Sequence, residues 1–162
     1  RWHTKIKNIN GGRNAMLYES EEDTKKLLRE CDAGIKMGIA SLDDMVSKAA
    51  DPELEQVLKY SKQEHIKLRV KAERQLNKIG DKGKAPNPMA KSMSYVKTQL
   101  TMQTGTDKDA AGLVTKGCEK GIQSLHKYLD KYSYADSQSR GLTTEIIAAE
   151  QKLISELGRF SG

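Results

Sequence analysis

Aromatic side chains are scarce in this chain, with one Phe, one Trp and six Tyr in 162 residues. Cysteine is scarcer still. Two Cys are too few for a disulfide framework, which points to a reducing, cytoplasmic setting. No run of about 18 apolar residues occurs, so no membrane-spanning helix is expected. No apolar stretch follows the basic start, so no secretory signal is read. What remains is rich in Leu, Ile, Ala, Met, Lys and Glu, the composition of a helical protein long enough to bury one core.

The net charge of +6 is unevenly placed. Residues 1–15, RWHTKIKNINGGRNA, hold Arg1, Lys5, Lys7 and Arg13 and no acid. The other 24 bases face 22 acids, so the rest of the chain is close to neutral. Met16 opens a passage that reads like a natural start, and residues 1–15 are expected to be a basic leader outside the domain formed by 16–162. A nucleic-acid partner would depend on that leader.

Apolar residues recur at helical spacing through most of the chain. Ser20 and Asp23 resemble a capping box, after which Leu27, Leu28, Cys31, Ile35, Gly38, Ile39, Leu42, Met45 and Val46 form one stripe. Asp51-Pro52 restarts the chain as a second helix, with Leu54, Val57, Leu58, Ser61, His65, Leu68, Ala72, Leu76 and Ile79 inward, until Gly80 stops it. GDKGKAPNP is a linker, and Asn87-Pro88 starts a short Met-rich helix within a connection over 81–105. Thr106 or Asp107 caps the next helix, with Ala110, Ala111, Val114, Cys118, Gly121, Ile122, Leu125 and Leu129 facing in, and a last one shows Leu142, Ile146, Ala149, Glu150, Leu153, Leu157 and Phe160. No segment alternates as a strand. The fold class is all-α.

One phrase is written twice. CDAGI begins at Cys31 and CEKGI at Cys118, each on the apolar stripe of a long helix. Each is followed by a break and a second long helix carrying an acid, Glu64 in one half and Glu150 in the other. The chain therefore reads as two related helical hairpins, about 21–80 and 106–161. Such a pair with one long connection is a known plan for a four-helix bundle. Both cysteines are expected to be small buried hydrophobes. Gly34 and Gly38 lie one turn apart, as do Gly117 and Gly121. Glycine within a helix costs about 1 kcal/mol against alanine, so close helix packing is the expected offset, inside the monomer or across a dimer.

The runs ECDAGIKMGIASLDD, QEHIKL, PNPMAKSMSYVKTQ and GCEKGIQSL resemble uncharacterised ferritin-like proteins of Gram-positive bacteria, over about residues 20–160. The resemblance implies a ferritin-like four-helix bundle. It directs attention to Asp32, Glu64, His65, Glu119 and Glu150 as the positions where iron or manganese would be held. The chain departs from that pattern, because no Glu-x-x-His pair occurs in it. Glu64 and His65 are adjacent, about 100° apart on a helix, and do not converge on one ion. Helical phase instead turns His65 and Glu150 inward, where they would pair with each other or with Tyr hydroxyls, and leaves Asp32 and Glu119 toward the stripe edges. The lysines of the second helix, Lys62, Lys67 and Lys71, alternate with Glu64 and Glu73 as a solvated face. No nucleophilic triad or phosphate loop is present, no cofactor is expected, and a homodimer without membrane contact is the expected state. Three readings stay open: a non-enzymatic bundle acting by assembly or partner binding, a metal-handling relative, and a DNA-associated bundle acting through the leader.

Overall fold

A computed structural model describes residues 2–84 and 105–161, with side chains from residue 11 onward. The short Met-rich helix expected in the connection lies outside the described residues. Four helices make up the fold, and the described residues contain no strand: α1 (Trp2–Lys48), α2 (Pro52–Lys78), α3 (Asp107–Lys131) and α4 (Ser137–Ser161).

Local chemistry accounts for most of the boundaries. Asp51 accepts a hydrogen bond from the Glu53 N–H at 2.8 Å, with Pro52 in the first turn of α2. At the other end, Gly80 takes φ +68°, its N–H donates to the Asn77 carbonyl, and the Asp81 N–H donates to the Leu76 carbonyl. That pair of bonds closes the helix in a Schellman turn. Thr106 caps α3 by accepting from the Asp109 N–H at 3.2 Å, and Asp136 caps α4 by accepting from the Ser139 N–H at 2.8 Å.

The start of α1 differs from the expectation. The helix does not begin at Ser20 but runs unbroken from Trp2 through Gly11 and Gly12. At 1.5 Å per residue it is about 70 Å long, while the other helices span about 40 Å. Residues 11–19 are exposed, including Met16, Leu17 and Tyr18, and burial begins at Thr24. The acid that suggested a cap has another use. Asp23 accepts from the Tyr134 N–H at 3.0 Å and Thr24 from the Asp136 N–H at 2.8 Å, so both serve the α3–α4 turn.

The α1–α2 turn is held in the same way by the other half of the chain. Asp107, at the start of α3, accepts from the N–H groups of Ala50 and Asp51 at 2.9 and 2.8 Å. Each hairpin thus uses acceptors on its first helix, Asp23 and Thr24 on α1 and Asp107 on α3, to satisfy the turn of its neighbour. These contacts place the start of α3 at the end of α1 and the end of α3 beside Asp23. All four neighbouring pairs, α1–α2, α3–α4, α2–α4 and α1–α3, are therefore antiparallel. The connection leaves α2 at one end of the bundle and enters α3 at the other.

Its first residues are bound rather than free. Arg29 grips both carboxylate oxygens of Asp81 at 2.7–3.2 Å, and this guanidinium holds the Asp81 carboxyl below the usual range. The Asp32 carboxylate accepts from the Lys84 N–H at 3.0 Å, and Lys84 Nζ reaches Glu30 at 2.6 Å. Gly83, at φ +83°, lies so close that a Cβ would stand 2.2 Å from Asp32 Oδ2.

Two apolar clusters fill the interior. Leu27, Leu28, Cys31, Ile35, Leu68, Leu76, Leu142 and Ile146 belong to one, near the α3–α4 turn. Leu42, Met45, Leu54, Leu58, Cys118, Leu153 and Leu157 belong to the other, near the α1–α2 turn. Asp107→Ala would strand two N–H groups, and urea denaturation is expected to show a loss of about 1–2 kcal/mol.

Candidate functional site

Between the two clusters the helices bring one residue each to a common level: Gly38, His65, Gly121 and Glu150. Helical phase places His65 on the apolar stripe of α2, three residues before Leu68 and seven after Leu58, and it is 1% exposed. Its Nδ1 lies 2.8 Å from the Ser61 carbonyl oxygen, one turn back. A carbonyl only accepts, so Nδ1 carries a hydrogen. Nε2 lies 2.9 Å from Glu150 Oε1 on α4, whose side chain is 13% exposed.

Burial, the largest influence, pulls the His65 pKa down. The hydrogen bond and charge of Glu150, with the Ser61 carbonyl and Glu64, outweigh it, and the net direction is up. The arrangement favours an imidazolium donating from both nitrogens, to a carboxylate on one side and a carbonyl on the other.

The glycines divide unequally around this pair. A Cβ on Gly38 would stand 3.1 Å from His65 Cδ2 and 3.4 Å from Nε2, so the missing side chain gives the imidazole its room. Gly121 faces Glu150, but a Cβ there would make ordinary contact at 3.8 Å. Gly34 and Gly117 meet nothing within 4 Å, so neither makes a close helix contact inside the monomer.

The remaining candidates lie elsewhere. Glu64 is turned outward and pairs with Lys67 at 3.0 Å, one residue being enough to rotate it off the stripe. Glu119 is exposed. Asp32 is 1% exposed rather than at an edge, because the Gly83–Lys84 segment covers it. Its Oδ2 also accepts from Lys36 at 2.7 Å, and its Oδ1 is buried without a partner. Among the described residues no three His, Cys, Asp or Glu side chains are placed to hold a metal ion.

Both thiols are buried and free. Cys31 Sγ lies 3.2 Å from Thr143 Oγ1, which itself donates to the Ser139 carbonyl at 2.8 Å. Burial, with Glu30 and Asp32 nearby, pushes the Cys31 thiol up to about 12. Cys118 is raised further, by burial first and then by Glu150. The two belong to different core clusters, and each is held as a neutral thiol.

Comparison with protein-family models, with curated proteins and with solved structures finds no match. No family is assigned. Functional inference therefore starts from this layer, in which a buried donor pair has satisfied itself. Sequence phase pointed to His65 and Glu150 and put Gly38 on the apolar stripe of α1, but it carried no signal that this glycine makes room for the imidazole.

Gly38→Ala is expected to destabilise by displacing His65, whereas Gly34→Ala, with open space and better helix propensity, is expected to stabilise by about 0.5–1 kcal/mol in thermal or urea unfolding. His65→Leu or Glu150→Leu alone is expected to cost about 2–4 kcal/mol, less than a fully buried pair because Glu150 still reaches water. The double variant should recover most of that loss. Because the folded-state pKa of His65 lies above the ordinary 6.5, the stabilisation from the pair is full below that value and is lost as pH rises through the raised folded pKa. A pH series of unfolding free energies in wild type and His65→Leu checks that sign.

Proposed function

We propose that this protein is a non-enzymatic ferritin-like helical bundle, acting through self-assembly, as a homodimer, or through partner binding. In this reading the mid-bundle layer has become a structural His–Glu bridge in a degenerate metal site. One observation carries it: both imidazole nitrogens of His65 are engaged by Ser61 and Glu150, and among the described residues no group of three His, Cys, Asp or Glu side chains is placed to hold an ion. Glu64 and Glu119 face away, and Asp32 is committed to the chain segment after α2. These residues do not fit a two-metal centre, which takes carboxylates from all four helices and a Glu-x-x-His motif on two of them. Antiparallel hairpins joined by an end-to-end connection support the ferritin-like assignment. No described helix is long and apolar enough to cross a membrane. Two free thiols suit a reducing compartment, and a bacterial cytoplasm is the proposed location.

A metal-handling reading has one observation in its favour. The Ser61 carbonyl holds the Nδ1 hydrogen, which is the second-shell arrangement that leaves Nε2 as a donor atom. Growth in iron- or manganese-supplemented medium followed by elemental analysis decides between the two. Substoichiometric metal in wild type, unchanged in Glu150→Ala, is expected. A reproducible full complement lost in Glu150→Ala would overturn the structural reading.

A further inference from the structure

The groove where α2 meets α4, near the α3–α4 turn, is rich in bases. It holds about 420 Å³, opens widely to solvent, and is lined by three bases, Lys71, Arg74 and Lys78, and one acid, Glu145. The three bases follow one another at helical spacing along a single face of α2. Glu145 is already engaged by Lys71 at 2.9 Å. Most other bases of this helix also have a local carboxylate: Lys67 pairs with Glu64, Arg69 with Glu73 and Lys59 with Glu55. Arg74 and Lys78 have no such partner among the described residues.

The opposite wall is polar and open. Ser137, Gln138 and Gly141 form it, and Gln75 reaches across its floor to the Gln138 carbonyl at 3.4 Å. A Cβ at Gly141 would meet nothing within 4 Å, so no neighbour occupies the space above that residue. We infer that this groove binds a small phosphate-bearing ligand, with Arg74 and Lys78 as its cationic contacts and the Ser137 hydroxyl and Gln138 amide as neutral donors.

Three physical points carry the inference. The guanidinium of Arg74 presents paired N–H donors that match a phosphate edge, and Lys78 adds a compact charge one turn away. The volume lies within the range of small-molecule sites. The only carboxylate in the groove is neutralised by Lys71, so the local field stays positive. The solvated face expected of this helix thus ends at Lys71. The inference is independent of whether the His65–Glu150 layer holds metal.

Titration of the full chain with inorganic pyrophosphate, followed by amide chemical shifts, tests it. Changes are expected to concentrate at Gln75, Lys78 and residues 137–141 and to weaken with added salt. Arg74→Gln/Lys78→Gln should weaken affinity roughly tenfold or more. The charge-matched Lys116→Gln/Lys127→Gln variant on α3 should bind as wild type does. All four positions are exposed, so an unchanged thermal midpoint verifies the fold. Sedimentation with phosphatidylglycerol vesicles separates the sources of phosphate: retention lost in the Arg74/Lys78 variant assigns a lipid headgroup, and absence of retention assigns a soluble ligand. Equal weakening by both variants, shifts spread over all lysines, or no shift at millimolar pyrophosphate would overturn the site.

Discussion

The contact between His65 and Glu150 governs how α2 and α4 can meet. It is the ion pair set between two apolar clusters, and each partner has one position opposite it that satisfies it. Sliding either helix by a turn would leave an imidazole facing leucines and a carboxylate in the core, at a cost of several kcal/mol. Apolar side chains tolerate many registers; this pair tolerates one. The absence of a side chain at Gly38 belongs to the same constraint, since the ring needs that volume.

A second set of polar contacts acts at the ends. Backbone N–H groups in tight turns have few partners of their own, and here each turn takes its acceptors from the opposite hairpin: Asp107 for Ala50 and Asp51, and Asp23 with Thr24 for Tyr134 and Asp136. The acceptors come from different positions in the two halves, eleven residues before Cys118 in one and seven or eight before Cys31 in the other. Cys31 lies toward one end of the bundle and Cys118 toward the other. The halves differ where it matters chemically. Glu64 is solvated and paired with Lys67, while Glu150 carries the central bridge.

Much of this architecture was readable from residue order. Asp51-Pro52, Gly80 and Thr106 mark boundaries through backbone chemistry that needs no tertiary partner, and most of the stripes of α2, α3 and α4 is buried, although Ile79 is exposed and Val57, Val114 and Phe160 are half-buried. The inward turn of His65 and Glu150 followed from phase alone. Other features depend on contacts distant in sequence. Asp23 looks like a local cap because an acid near a helix start has the same composition whichever turn it serves. Asp32 looked peripheral because the residues that cover it lie some fifty positions later. Gly38 falls on the apolar stripe of α1, but its phase does not show that an imidazole fills the space beside it.

The reciprocal capping has a consequence for how the chain acquires its structure. A hairpin formed by itself would have its turn amides facing water and its polar centre without a counterpart, so neither half is complete before the two dock. Helical hairpins form quickly from local contacts, whereas joining them requires the chain to close a long loop first. The barrier to the native state therefore falls at assembly of the halves, and their loss on unfolding is concerted. Two helical hairpins here make a single cooperative body rather than two modules in tandem.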